Sequence, residues 1–393
     1  MIRAQTTGVC VVRSPALALL GGAIGLAAML TVWHAQRSVF DNYYYLADAL
    51  RHGHTWIAWP GDYIDAMPYH GRAYIVEGPL PALLLLPAVL IWGQGANETI
   101  LANLLGALSV VAAWRLCDRV GLSLPQAAAA SAFAFFGTSQ YVCAAKGDVW
   151  QLAHASAYCF TLLALAELLG RRRAWLVALW GVCAAFSRYP LVVALPLYLA
   201  VLLYRQPRAA LVASFLAPLV PAGALAVLYD ESRWGTILDR GYSLFYRVMD
   251  ASSKVRPAVF SLAYLPGQLR LYFDTPPKLT ASPPFVIPRL FGMSLQWTSL
   301  PFVYAVCAPL GAEMLMLWAA ALATAIPALT YYGAGDIQYG VRHALDFEPF
   351  VFALMVLGLH RRPSTVMTIA LVAFALLGFY AGSVWLLVPD AMK

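Results

Sequence analysis

Apolar runs near membrane length recur along the chain, separated by short polar breaks. They cover residues 14–33, 97–114, 124–142, 149–169, 174–187, 190–204, 209–229, 299–310, 312–331, 347–359 and 365–387. Runs of this kind with few charges read as membrane-spanning helices. The pattern therefore predicts an all-α, polytopic integral membrane protein with about eleven transmembrane helices. One further apolar run, residues 79–93, is short and holds Pro79, Pro81 and Pro87. It is expected to lie as an interfacial or half-buried helix. Two long segments, 34–96 and 230–298, interrupt the rhythm. The second carries aromatic-rich pieces, YSLFYRVM and SLAYLPGQLRLYF, that read as helices lying in the interface, and then TPPKLTASPPFVIP, expected to be extended and irregular. No convincing internal repeat is present, and residues 1–393 read as a single transmembrane domain.

Composition fits this pattern, since 61% of residues are hydrophobic, 11% are charged and mean hydropathy is +0.69. The net charge of +7 comes from basic residues spread among turns, with no basic stripe, so no nucleic-acid partner is expected. Arg115 and Arg119, Arg171 to Arg173, Arg205 and Arg208, and Arg361 and Arg362 fall in alternate turns. Together with Arg3 and Arg13 they place the N-terminus in the cytoplasm and both long loops outside, because Lys and Arg are retained on the cytoplasmic side. The first apolar run is about membrane length with no small-x-small cleavage site after it, and reads as a retained helix. The six cysteines form no C-x-x-C pair and read as small core residues.

Chemistry concentrates in the first loop. Residues 38–81 hold five acids, Asp41, Asp48, Asp62, Asp65 and Glu77. A carboxylate within about a turn of the membrane, such as Asp41, is costly unless solvated or used. Asp41, Tyr45 and Asp48 share one helix face at i, i+4 and i+7. Two roles fit Asp41. Ser38-x-x-Asp41 has the form of a capping box, and Asp41 also stands where a general base could face a cavity. Glu77 reads equally as a helix cap before Pro79, and Asp148 as a helix-start acid. Arg188, Arg342 and His343 gather at the same face on this topology, and Arg270 and Lys254 lie in the second loop. Carboxylates beside arginines at a membrane surface suit transfer of a sugar from a lipid phosphate to a hydroxyl. The phosphate leaves readily, Arg or Lys holds its charge, and one acid takes the hydroxyl proton.

Phe40-Asp41-Asn42 after the first span, ADALRHG at 47–53, and Tyr74-Ile75-Val76-Glu77-Gly78-Pro79 before a helix make the first loop similar to that of the GT-C superfamily of membrane glycosyltransferases. The resemblance is to the bacterial lipid A aminoarabinose transferases and the protein O-mannosyltransferases in particular. YGVRHALDFEPF is similar to their Gly-x-Arg-Tyr segment. The resemblance implies a GT-C-type bundle in a bacterial inner membrane, with a polyprenyl-phosphate sugar donor and a glycan or lipid acceptor at the outer face among membrane lipids. It implies Asp41, Glu77 and Asp148 as catalytic residues, Arg342, Arg188, Arg270 and Lys254 as contacts for the donor phosphate, and Tyr45, Asp48, Tyr74 and His343 around sugar or acceptor. Metal use stays open, with a divalent ion shared by Asp41 and Glu77 as one arrangement. Two departures stand out: Asn42 replaces a second acid found in many members, and Gly78 replaces the lysine of the aminoarabinose enzymes. Two other classes fit the many spans. An O-antigen-type ligase would centre on Arg and His in a late loop, but residues 230–298 contain no histidine. A flippase of lipid-linked sugars would line a route with charge, and the spans offer little beyond His154 and Glu313.

Overall fold

A computed structural model describes residues 15–59, 61, 65–250, 258–335 and 337–388. Among these residues the chain is dominated by helices. In order they are α1 (Pro15–Trp33), α2 (Asn42–Arg51), α3 (Leu80–Trp92), α4 (Glu98–Val120), α5 (Leu124–Phe136), α6 (Gln140–Lys146), α7 (Val149–Leu168), α8 (Ala174–Ser187), α9 (Ala194–Arg205) and α10 (Ala209–Trp234). Then come α11 (Gly241–Val248), α12 (Leu265–Phe273), α13 (Leu295–Thr298), α14 (Ala312–Thr330), α15 (Glu348–Arg361) and α16 (Thr365–Leu387). Two short antiparallel hairpins pair β1 (Ala66–Tyr69) with β2 (Arg72–Ile75), and β3 (Lys278–Leu279) with β4 (Val286–Ile287). Six helices, α1, α4, α7, α10, α14 and α16, are long and apolar enough to cross a membrane. This is the make-up of a helical, multi-pass membrane protein.

Other expected spans take different forms. The run 124–142 divides into α5 and α6, because Thr138 turns its hydroxyl back to the Ala134 carbonyl and accepts the Gln140 amide, closing one helix and opening the next. The run 299–310 is not an α-helix. Leu300–Cys307 winds as a 3-10 helix, and at ~2.0 Å per residue it is only about 16 Å long. The absent side chain of Gly358 lets it lie against α15, where a Cβ would meet the Tyr304 carbonyl. The stretch expected to be irregular, TPPKLTASPPFVIP, contains the β3–β4 pair.

Side-chain contacts distinguish two ends of the bundle. At one, Arg173 forks onto Glu167 at 2.9 and 2.8 Å, while Glu313 takes Arg205 at 2.5 and 2.7 Å and Arg172 at 3.3 Å. The Tyr304 hydroxyl donates to the Arg362 carbonyl there. The arginine-bearing turns thus gather at one end. At the other end lie the first loop, the starts of α4 and α7, the end of α8 and the 331–347 turn. Helix α3 both begins and finishes at this second end: Gly78 abuts the Phe186 carbonyl at the end of α8, and Arg37 after α1 donates to the Gln94 carbonyl just past α3.

Helix α7 is buried along nearly its whole length. Its alanines let α4 and α8 approach closely, as small residues do between membrane helices. By contrast α10 buries only Phe215, Asp230, Arg233 and Trp234. The second loop is tied to the end of α14, where the Ser261 amide donates to the Thr330 carbonyl and Gln268 donates to the carbonyls of Tyr331 and Gly333. Tyr272 of α12 then packs with Val341 and Ala344, which covers the turn carrying Arg342 and His343.

Candidate functional site

The first amides of any helix lack partners within it, and α2 solves this in an unexpected way. Asp41 occupies its N-cap position, but its side chain makes no capping bond. The Tyr44 amide donates instead to Glu98 Oε1 at 2.7 Å, from the first residue of α4. Ser38 does not complete a capping box either. Its hydroxyl donates to Asp148 Oδ1 at 2.7 Å and accepts the Phe40 amide at 2.9 Å. With capping supplied by Glu98, the Asp41 carboxylate meets Arg37 at 3.4 Å and borders an open cavity of about 620 Å³ that Tyr45 and Asp48 also line. Burial raises the Asp41 pKa above the usual aspartate value, while its own backbone amide and Arg37 pull it back.

Behind α2 lies a buried polar group. Asn42 donates its side-chain amide to both oxygens of Glu77, at 3.2 and 3.3 Å. Burial, and then the nearby Asp65, push the Glu77 carboxyl well above the ordinary glutamate range. An acid at position 42 would set a second carboxylate against Glu77, so asparagine suits this site. Gly78 has a physical reason too, because a Cβ there would collide with the Phe186 carbonyl. Asp65 accepts the Trp150 indole N–H at 2.7 Å. Burial raises its pKa, and the Trp150 bond and the Arg342 charge lower it. The Arg342 guanidinium lies 5.8 Å from the Trp150 ring, which also packs on Phe40 at 4.9 Å.

A second buried group joins α7, α8 and the turn before α15. Arg188 donates to both oxygens of Asp346, at 3.2 and 2.8 Å, and its Nη2 lies 3.3 Å from His343 Nδ1. His154 packs within 3.5 Å of the same carboxylate, its ring 5.1 Å from that of His343. Burial alone would raise the Asp346 pKa, but Arg188 and His154 hold it below the usual range. Burial and the surrounding cations hold His343 well below the ordinary histidine value, so it is neutral near pH 7.

These placements divide the residues singled out in the sequence. Asp41, Tyr45 and Asp48 line one cavity, although Asp48 also pairs with Arg51 at 2.9 Å. Glu77 and Arg342 both act electrostatically on Asp65, and Asp148 pairs with Lys146 at 2.7 Å while holding Ser38. Arg188 forks onto Asp346 through its Nε and Nη2. Arg270 is exposed on α12. Tyr74 is buried with its ring 5.2 Å from Trp234, in a packing role. Lys254 lies outside the described residues. Asp41 and Glu77 hold different partners, Arg37 and Asn42, which does not support a divalent ion shared between them. Among the described residues no three His, Cys, Asp or Glu side chains gather as a metal site.

The sequence pattern gives no specific role to Asp65, one of the five first-loop acids, and does not mark Glu98, Asp346 or Arg233. Asp346 had one local signal, its i+4 spacing from Arg342. Glu98 and Asp65 act through partners far away in the chain, and Arg233 joins the nearby Asp230 and Asp239 to the distant Ile75 carbonyl. No protein-family model matches the chain, and no curated protein matches it.

Proposed function

We propose that the chain is a GT-C-type glycosyltransferase of a bacterial inner membrane, moving a sugar from a polyprenyl-phosphate donor to a hydroxyl of a lipid or glycan acceptor. One observation carries this reading: Glu98 caps α2, so Asp41 is spared that duty and faces an open cavity with its carboxylate pKa raised. In this reading the arginine-bearing turns face the cytoplasm and the site lies at the outer face. Asp41 takes the acceptor hydroxyl proton as that oxygen bonds to the sugar C1. The bond from C1 to the phosphate oxygen breaks with its electrons going to the phosphate, and Arg342 holds the charge that develops there. Glu77 fixes the start of α2 through Asn42, and Asp148 fixes Ser38, three residues before the base. Arg188 and His343 position the Arg342 turn through Asp346.

Purified protein is expected to deplete at least one member of a panel of polyprenyl-phosphate sugars, and depletion of none contradicts the reading. Arg342→Ala is expected to raise the donor KM or lower kcat by an amount equivalent to about 1.5–3 kcal/mol, that of a lost charge-assisted hydrogen bond. Unchanged donor kinetics would return Arg342 to a packing role against Trp150.

The pH dependence follows from the Asp41 carboxyl. A base must be ionised, so activity falls as pH drops through its pKa. Burial places that fall above the ordinary aspartate value of about 3.9. Arg37→Gln removes a charge that lowers the pKa and should move the acid limb of kcat/KM to still higher pH. A limb that stays in place would assign it to another group.

A further inference from the structure

The cavity at Asp41 does not end at α2. Trp56, Ile57, Ala58 and Trp59 border it and also border a second cavity of about 420 Å³, so the two adjoin along this segment. The far wall of the second cavity is the β1–β2 turn, where His70 (φ 49°) and Gly71 (φ 73°) reverse the chain tightly and carry Tyr69 and Arg72 to either side. Between the cavities runs a stack of planar groups. The His52 and His54 rings lie 6.2 Å apart at 18°, His54 and Trp56 lie 4.2 Å apart at 15°, and the Arg72 guanidinium sits 5.0 Å from the Trp56 ring. Trp59 is 43% exposed.

We propose that the two cavities together are the acceptor cleft and that its occupant is a carbohydrate chain, with one sugar unit at Asp41 and the next over Trp59 and Tyr69. The proposal rests on the transferase reading and names its acceptor class. Adjacency is the first ground, since a chain whose end unit presents a hydroxyl to Asp41 extends into the space beside it, and the second cavity shares the 56–59 segment with the first. Lining chemistry is the second. A lipid tail favours an unbroken apolar wall, whereas here aromatic faces alternate with Asp48, His54, His70 and Arg72, groups that exchange hydrogen bonds with hydroxyls. Aromatic faces are electron-rich, and the C–H face of a pyranose ring lies well against them. Size is the third. Each cavity falls within the roughly 300–1,000 Å³ of small-molecule sites, so the pair has room for more than one sugar unit.

The test is equilibrium binding by the full chain in lipid nanodiscs. Tryptophan fluorescence is titrated with linear tetrasaccharides of glucose, mannose, galactose and N-acetylglucosamine, and donor consumption by the unsubstituted protein is read separately. At least one tetrasaccharide should perturb the fluorescence, Trp59→Phe should remove part of that signal, and Trp59→Ala or Arg72→Ala should weaken binding about tenfold. Trp59 and Arg72 are exposed, so far-ultraviolet circular dichroism is expected to match the unsubstituted protein. Absence of binding by any tetrasaccharide, or unchanged affinity in both alanine variants, overturns the proposal even if donor is consumed. Quenching of Trp59 by brominated lipids in place of sugars also overturns it, making the residue a membrane anchor. Sugar binding lost on Trp59→Ala, with no donor consumed, upholds the carbohydrate cleft and removes the transferase reading.

Discussion

Asp41→Asn is expected to give a folded protein whose turnover is at least about a hundredfold lower. General-base losses are typically about 10² to 10⁴-fold, because an amide cannot accept the hydroxyl proton. The fold is expected to survive because the α2 amide depends on Glu98 and not on Asp41. The complementary variant separates the two roles. Glu98→Ala removes the acceptor of the α2 amide and should lower thermal stability while Asp41 keeps its place at the cavity. Normal turnover in Asp41→Asn, combined with lower stability in Asp41→Ala, would make Asp41 structural and move the search for the base to Asp65 or Glu77.

The second large effect concerns Arg233. Its side chain is fully buried and donates to Asp230 at 2.6 Å, to Asp239 at 3.1 Å and to the Ile75 carbonyl at 3.1 Å. Its guanidinium also lies 3.9 Å from the Tyr229 ring. It therefore joins the end of α10 and the start of the second loop to the strand that leads into Glu77. Arg233→Met leaves Asp230 and Asp239 without their countercharge. Breaking one side of a buried pair costs about 3–5 kcal/mol, and the partial exposure of Asp239 places this case near the lower figure. Thermal unfolding in detergent should show the loss, and Arg233→Lys should recover only part, since an ammonium lacks the planar fork. Stability equal to that of the unsubstituted protein in Arg233→Met would show that the clasp contributes little.

The helical, membrane-spanning character was legible because apolar runs of membrane length are a strong signal. The proline-rich run 79–93 was legible as a short helix, and Leu80–Trp92 forms one of 13 residues. The division of 124–142 at Thr138 and the 3-10 winding of 300–307 were not, since each depends on a hydrogen bond or a close backbone approach that apolar composition does not encode. The site was legible in part. Asp41, Glu77 and Arg342 stand out as charges in an apolar chain, but the residues that assign their roles are remote. Glu98 caps a helix 54 residues before it, and Arg188 meets Asp346 across 158 residues. Ser38-x-x-Asp41 has the right spacing for a capping box, yet Asp148, 110 residues from Ser38, takes the serine hydroxyl. Local motifs specify what a side chain can do, and long-range packing decides which of those options remains.

The central claim is that Asp41 drives transfer of a sugar from a polyprenyl phosphate. Its most direct test is mass spectrometry of the lipid fraction after purified protein in proteoliposomes is given a polyprenyl-phosphate sugar and a bacterial envelope extract. The account predicts one free polyprenyl phosphate for each sugar that appears on the acceptor, and almost none of either with Asp41→Asn. An intact donor that has only moved to the opposite leaflet, at equal rates in both proteins, would contradict it.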